Sequence, residues 1–255
     1  MTKKNLINIS LTILFSVIIA FLIHNKIIYP TIIPMVKDSL IYLFADWSVI
    51  INASNCAQNG IDVYVENPCD PWGRKHVYGN ILLFIPILEN LNKFYLFYFP
   101  ILLNVLFIFV IVSFFTNIKN NRNYLLVFFI LSAPFLLAIE RANLDIVIFL
   151  IMFLISKYKN LLLNYFLIIF ATLAKFYPIL FGILFLFKKN FKKILIDIFI
   201  LSIFLLTFLF FQNENILKIF NNQSQFSGSG IYQFSIKGLP NIIENTIIKV
   251  DQVNL

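Results

Sequence analysis

Charged side chains are scarce in this sequence. They account for 13% of the 255 residues, whereas 60% of the residues are hydrophobic and 17% are aromatic. A soluble globular domain carries about 25% charged residues, so this composition argues against a soluble protein and favours an integral membrane protein. The formal net charge is +8, yet the chain has no basic segment interleaved with aromatic residues. We therefore predict no nucleic acid partner.

Residues that hold metal ions are also few. The chain has two cysteines, Cys56 and Cys69, and two histidines, His24 and His76. This set is too small for a structural zinc site, so we predict neither a metal nor a cofactor. The two cysteines lie in a segment that we expect in an oxidising compartment, where a disulfide is favoured over two free thiols.

Long apolar segments are abundant instead. No segment alternates apolar and polar positions over about ten residues, so we expect helices rather than strands. A full membrane span needs about 20 residues, and the shorter runs are therefore predicted to be tilted, half-length or re-entrant helices. The predicted fold is an all-α, multi-pass transmembrane helical bundle with about seven crossings, some short or broken. The apolar runs cover residues 6–23, 94–115, 124–139, 144–156, 161–173, 177–187 and 194–211.

Basic residues gather in the short gaps between these runs, which predicts the sidedness of the chain. Positively charged loops stay in the cytoplasm, so we place the N-terminus on the cytoplasmic side of the cell (inner) membrane, with the first run as an uncleaved anchor. Residues 1–211 then form a membrane domain with a large exoplasmic (periplasmic) first loop, 25–93. Residues 212–255 form an exoplasmic loop or the start of a missing C-terminal half. The basic residues are Lys3, Lys4, Lys119, Arg122, Lys157, Lys159, Lys188, Lys189, Lys192 and Lys193.

Residues 161–187 allow a second topology, in which they form one long helix. That helix would bury Lys175 near its middle, at a cost of about 2.5–3.5 kcal/mol or more. Pro178 cannot donate the helical hydrogen bond and favours a break or kink. We therefore predict that the helix is interrupted near Lys175.

A short helix is predicted in the first loop, within "FADWSVIINASNCAQNG". Trp47, Ile50, Ile51 and Ala57 recur at helical spacing, and Gly60 provides a stop. The apolar face predicts a helix lying on the membrane surface. Asp46 stands at its start, where a carboxylate commonly serves only as a helix cap.

A cluster of polar residues interrupts the apolar sequence at "IERANLDIVIFL", residues 139–150. Charged groups inside an apolar bundle are costly, and where they persist they usually line a polar cavity or a substrate path. The alternative is structural. Asn143 and Asp145 would cap the helix that begins at Leu144, and Arg141 would pair with Glu140 or with Asp145.

The polar residues of this half of the chain resemble glycosyltransferase family 87, a group of polyprenyl-phosphate-dependent mannosyltransferases with the domain once called DUF2029. The family shows an Arg-x-Asn-x-Asp element at the start of a helix, then a Lys-x-x-Pro element, then a basic cytoplasmic turn. A Gly-x-Asp-x-Tyr element in the first loop is also similar. The Tyr-x-Tyr-Pro-Pro stretch of the family is degraded here to "HVYGNILLFIP". Arg141, Asn143 and Asp145 match the first element, Lys175 and Pro178 the second, and residues 188–193 the basic turn. Gly60, Asp62 and Tyr64 match the element in the first loop, and Tyr78 and Pro86 remain from the degraded stretch.

The resemblance implies a C-type glycosyltransferase that moves a hexose, mannose-like, from a polyprenyl-phosphate donor to a glycan or lipid acceptor on the exoplasmic face, with inversion. Asp46 takes the role of the catalytic base by this resemblance. Arg141 and Lys175 bind the donor phosphate. Asn143, Asp145, Asp62 and Tyr64 support the site, and no divalent metal is required.

Two other functions are consistent with the same residues. A small transporter or flippase subunit would use Arg141, Asp145 and Lys175 to line a transport path. The chain is also shorter than is usual for the family, so we expect it to be truncated, with a second subunit supplying missing helices or with loss of activity. The large first loop with its helix favours the transferase, because transport needs no acceptor platform.

Overall fold

The computed structural model describes residues 3–25, 43–86, 91–117, 123–158, 160–188 and 191–225. Within these residues the regular elements are helical and no strand forms. Two 3₁₀ segments, Asn80–Phe84 and Tyr177–Lys188, and a π-helical turn, Phe94–Tyr98, join the α-helices. The α-helices are α1 (Lys3–His24), α2 (Ala45–Gln58), α3 (Phe99–Thr116), α4 (Asn123–Ile130), α5 (Ala133–Arg141), α6 (Leu144–Lys157), α7 (Leu161–Ala174) and α8 (Phe191–Gln225).

Among the residues that the structure describes, two helical segments are long and apolar enough to cross a membrane. They are Lys4–His24, with 21 residues and a mean hydropathy of 2.7, and Phe94–Thr116, with 23 residues and a mean hydropathy of 2.5. About 20 residues at 1.5 Å each cover the roughly 30 Å of a bilayer core. The apolar helices Leu161–Ala174 and Ile198–Phe210 are shorter. The prediction of about seven crossings therefore stays a prediction.

The helices α1 and α3 pack side by side in opposite directions. Near the start of α1, Asn8 donates from Nδ2 to Ser113 Oγ at 3.3 Å and accepts at Oδ1 from Thr116 Oγ1 at 2.9 Å. Both partners lie near the end of α3. Hydrogen bonds between apolar helices are worth about 0.6 kcal/mol each in a membrane, so their main effect is to fix the register of this pair.

The apolar core joins these two helices to α4, α5 and α6. Phe107 of α3 stacks on Phe135 of α5 with ring centroids 5.1 Å apart. Between helices that cross a membrane, this packing is stabilised by close van der Waals contact, because lipid tails are as apolar as the buried side chains. The fully or almost fully buried members are Ile19, Ile108, Val112, Ile130, Leu136 and Ile146.

Two apolar runs differ from the prediction. The run 124–139 is divided into α4 and α5 at Ser132, which precedes the first turn of α5, and Pro134 stands in that turn. The last helix continues to Gln225, beyond the predicted end of the run at residue 211. The sequence from 191 to 225 has neither proline nor glycine, so nothing in it stops the helix.

The break near Lys175 is present as predicted. Helix α7 ends at Ala174, and Lys175 adopts an extended backbone (φ −151°, ψ 125°) before the 3₁₀ segment that contains Pro178. This break brings Lys175 to the end of a helix instead of its middle. The predicted basic turns at Lys119, Arg122, Lys159 and Lys189, and residues 226–255, lie outside the described residues.

Candidate active site

Helix α2 determines the position of Asp46. Phe44 occupies the cap position of this helix and has a left-handed backbone (φ 63°). Its N–H donates to the carbonyl of Glu140 at 2.8 Å. Asp46 stands in the first turn, inside the helix, and the cap position belongs to Phe44. The alternative, that Asp46 serves only as the helix cap, does not hold, because Phe44 occupies the cap position and the Asp46 carboxylate bonds to Asn143.

The apolar face of α2 packs on the protein. Trp47, Ile50 and Ile51 are 6%, 0% and 0% exposed, and they contact the segment Asn80–Phe84 and the first residues of α6. The indole Nε1 of Trp47 donates to the carbonyl of Tyr95 at 2.9 Å. This corrects the prediction of a helix lying on the membrane surface, since the residues expected to contact lipid are covered by other parts of the chain.

The corner between α5 and α6 contains the polar residues 141–145. Ala142 turns the chain with a left-handed backbone (φ 46°), and Asn143 caps α6 by accepting the N–H of Asp145 at 2.9 Å. The same amide donates from Nδ2 to Asp46 Oδ2 at 3.0 Å. Asn143 thus caps α6, as predicted, and also orients the carboxylate of Asp46.

Among the described residues, Arg141 is the cation nearest to this carboxylate. Its Nη1 lies 3.7 Å from Asp46 Oδ1, and its Nε lies 4.0 Å from Glu140 Oε2. Of the two ion pairs predicted for Arg141 within its own segment, the structure has the one with Glu140. Asp145 forms its ion pair with another residue, Lys175.

Lys175 and Tyr177 complete the site from the chain that follows α7. The ammonium of Lys175 lies 2.7 Å from Asp145 Oδ1, and the hydroxyl of Tyr177 donates to the same oxygen at 2.6 Å. The ammonium also lies 6.0 Å from the ring centroid of Tyr78. We call Asp46, Tyr78, Arg141, Asn143, Asp145, Lys175 and Tyr177 the charged cluster.

Burial makes the Asp46 carboxyl more basic than an ordinary aspartate. Desolvation raises its pKa above the usual 3.8, while Arg141, Arg74, the hydrogen bond from Asn143 and, least, Lys175 oppose the rise. Its side chain is 18% exposed, so one edge remains accessible. Desolvation, with the charges of Asp46 and Asp145, raises the pKa of Tyr78, so its hydroxyl stays protonated. The cluster therefore combines a basic carboxylate with fixed cations.

Gly79 joins the first loop to the rest of the site. Its N–H donates to the carbonyl of Ala174 at 2.9 Å, directly before Lys175. A Cβ atom at this position would lie 1.6 Å from the carbonyl oxygen of Leu173. Only a residue without a side chain permits this approach, which also places the neighbouring Tyr78 beside Lys175.

Asp62 and Tyr64, the other predicted supporting residues, are not part of the charged cluster. The carboxylate of Asp62 pairs with Lys218 of α8 at 2.7 Å, and that bond lowers the pKa of Asp62. The hydroxyl of Tyr64 donates to the carbonyl of Tyr78 at 3.1 Å. Both residues shape the first loop.

Cys56 and Cys69 are joined by a disulfide, with Cα atoms 5.8 Å apart.

Arg74 is a contributor to the site that the sequence did not reveal. It forms a two-pronged ion pair with the buried Asp70, with Nη2 to Oδ1 at 2.9 Å and Nε to Oδ2 at 3.0 Å. Its Nη2 also donates to the carbonyl of Ala45 at 3.0 Å, beside Asp46. The turn "CDPWGR", with an aspartate four residues before an arginine, was the available signal.

His76 gives the first loop a stability that depends on pH. Burial lowers the pKa of this fully covered imidazole from 6.5 to about 4. Between these values the unfolded chain binds a proton that the folded chain does not, so stability is retained above pH 6.5 and falls as the pH drops towards 4. The expected loss is about 3 kcal/mol.

Thermal unfolding of the solubilised protein at several pH values between 7 and 4 measures this effect. His76→Gln, which cannot titrate, should show a smaller loss over the same range. Parallel stability curves for the two proteins would contradict the assignment to His76.

Comparison with known proteins adds no further information about this site. No family model, curated protein or solved structure matched the chain. The resemblance to glycosyltransferase family 87 therefore rests on the sequence elements quoted above. Among the described residues, no group of three His, Cys, Asp or Glu side chains is arranged to hold a metal ion.

Proposed function

We propose that the protein is a membrane glycosyltransferase that moves a hexose from a polyprenyl-phosphate donor to a hydroxyl acceptor with inversion. One observation carries the proposal. A half-buried, basic carboxylate is held by Asn143 and lies 3.7 Å from a guanidinium, in a cluster that also contains Lys175. Transfer from a sugar phosphate needs a base for the acceptor and cations for the phosphate, and this cluster offers both.

Asp46 is the base in this mechanism. Its carboxylate takes the proton of the acceptor hydroxyl as that oxygen forms a bond to the anomeric carbon. The bond between the anomeric carbon and the phosphate oxygen breaks on the opposite side, and its electron pair leaves with polyprenyl phosphate. Attack from the opposite side inverts the anomeric centre. The desolvation that raises the pKa of Asp46 favours this proton transfer.

Arg141 and Lys175 stabilise the charge that grows on the leaving phosphate. A cation fixed in a water-poor site stabilises the negative charge of the phosphate more strongly than the same cation in bulk water does, because the surrounding dielectric constant is low. The ammonium of Lys175 pairs with Asp145 Oδ1, which also accepts a hydrogen bond from the hydroxyl of Tyr177. The phosphate competes with Asp145 for this ammonium.

The proposed membrane arrangement keeps the cluster on the exoplasmic side. The antiparallel packing of α1 and α3 supports it, because two crossings in opposite directions leave the intervening segment, with Asp46, on one face. In the proposed arrangement the N-terminus is cytoplasmic and further helices cross the membrane. The partners are the sugar-charged lipid, a glycan or lipid acceptor and the bilayer.

Release of polyprenyl phosphate from a hexose-charged lipid is the experiment that tests the proposed function. The full chain is reconstituted in vesicles with a polyprenyl-phosphate-hexose labelled in the sugar, and the phosphate lipid and sugar are followed separately. Appearance of free polyprenyl phosphate together with labelled glycoside supports transfer. Movement of the intact labelled donor across the bilayer, without cleavage, would show a flippase instead.

Lys175→Ala is expected to weaken donor use more than turnover. Loss of a charge-assisted hydrogen bond to phosphate costs about 1.5–3 kcal/mol, so the KM for the donor should rise roughly tenfold to a hundredfold. Lys157→Ala, at the exposed end of α6, is the matched control and should leave KM unchanged. An unaltered donor KM in Lys175→Ala, at wild-type folding, would remove the residue from phosphate binding.

A further inference from the structure

A cavity lies behind the charged cluster, among α1, α3 and α5. Its volume is 520 Å³, within the range of about 300–1,000 Å³ that holds a small ligand. Most of its lining is aliphatic or aromatic. The lining includes Ile19 and Ile23 of α1, Val105 and Ile108 of α3, and Phe44 and Ile139.

Two buried polar side chains also line this cavity. Asn104 is 6% exposed, and its Nδ2 donates to the carbonyl of Ile139 at 2.8 Å. Its Oδ1 is buried and accepts no hydrogen bond within the described part of the chain. Glu140 is 1% exposed and presents a carboxylate to the same space. A buried acceptor without a donor costs about 1–3 kcal/mol, so a ligand that donates a hydrogen bond to Asn104 Oδ1 would remove this cost.

The buried polar groups of the cavity select against phosphate, whereas His24 lines the cavity as an exposed side chain. Asn104 Oδ1 and the Glu140 carboxylate are acceptors. Among the described residues, Arg141 lies 4.0 Å from Glu140, on the side of the charged cluster. A phosphate dianion brings only acceptors and a like charge, which is unfavourable in a buried site. A hydroxyl brings a donor. The hydroxyl of Ser16, buried without a partner among the described residues, can exchange hydrogen bonds with it.

We propose that this cavity binds an uncharged, hydroxyl-bearing long-chain lipid, with the chain along Ile19 and Ile108 and the hydroxyl donating to Asn104 Oδ1. The two helices that supply most of its wall are also the segments long enough to cross a bilayer, which gives such a lipid a route from the membrane. The site is separate from the donor phosphate site and does not depend on sugar transfer.

Photocrosslinking in lipid nanodiscs tests the proposal. The probe is a hexadecanol with a diazirine on its alkyl chain, and mass spectrometry locates its adducts after illumination of the full chain. Adducts are expected on α1 and α3 at the cavity. Unlabelled hexadecanol should compete, and hexadecyl phosphate should compete at least about tenfold less well. Equal competition by the phosphate would overturn the proposal.

Matched variants on α3 separate specific binding from general contact with lipid. Val105→Trp fills the cavity and should abolish the cavity adducts, whereas Leu106→Trp, on the next residue and outside the lining, should retain them. Asn104→Leu should lower the affinity for hexadecanol about tenfold. Labelling that persists unchanged in Val105→Trp, or in correctly folded Asn104→Leu, would show a lipid contact without the proposed site.

Discussion

Replacement of Asp46 by asparagine is expected to lower sugar transfer by about a hundredfold to ten-thousandfold, the usual contribution of general acid–base catalysis. Asparagine keeps the size of the side chain and can still bond to Asn143, so folding should be retained. It cannot take a proton from the acceptor. The measurement is the rate of labelled glycoside formation in reconstituted vesicles, with thermal unfolding as the check on folding.

Glu66→Gln is the matched control for this substitution. Glu66 is an exposed carboxylate of the same loop and lies outside the charged cluster. Its loss should leave transfer within about twofold of wild type, since surface substitutions of this kind change stability by less than about 0.5 kcal/mol. If Asp46→Asn still transfers the sugar, Asp46 is not the catalytic base. That result would not change the description of the membrane fold.

The raised pKa of Asp46 also predicts an acid limit to activity. The base works only when ionised, so transfer should fall as the pH drops through a value above the usual 3.8. Asn143→Leu removes a hydrogen bond that favours the ionised form, and should move this limit to higher pH. A pH profile of kcat/KM that is identical in both proteins would contradict this role of Asn143.

Replacement of Gly79 by alanine is expected to detach the first loop from the end of α7. The added Cβ would lie 1.6 Å from the Leu173 carbonyl oxygen, so the backbone must separate and the Gly79 to Ala174 hydrogen bond is lost. Overpacking costs about 1–3 kcal/mol, and the broken bond adds about 1 kcal/mol. Tyr78 would move away from Lys175, so activity should fall together with stability.

Gly60→Ala provides the comparison for Gly79→Ala. Gly60 has a positive φ of 79°, and no atom lies within 4 Å of its added Cβ. Its substitution should therefore cost only the backbone strain of about 1–2 kcal/mol, without loss of activity. Limited proteolysis of the first loop and thermal unfolding distinguish the two variants. Equal protease resistance in Gly79→Ala and wild type would contradict the close contact at Leu173.

Several features of the fold follow from local sequence. The long apolar runs predict α1 and α3, Gly60 predicts the end of α2, and the cost of burying Lys175 predicts the break after α7. These are properties of neighbouring residues, and periodicity and the cost of buried charge reveal them. The division at Ser132 was missed because the flanking residues are apolar on both sides.

The contacts of the charged cluster depend on residues far apart in the chain. The sequence singles out the element 141–145 and also Asp46 and Lys175, but it does not reveal which of these residues are in contact. Asn143 bonds to Asp46 across 97 positions, and Asp145 bonds to Lys175 across 30. Arg74 joins the site only because the turn at Asp70 folds back on the start of α2.

The sequence by itself determined the helical class, the apolar segments and which polar residues are unusual, because hydrophobic periodicity and charge are local properties. The tertiary structure decided which of those residues meet. The covered face of α2, the pairing of Lys175 with Asp145 and the cavity at Asn104 arise from helix packing and from the contact of Gly79 with α7. Packing depends on the shapes of surfaces brought together over long distances, and no local pattern specifies them.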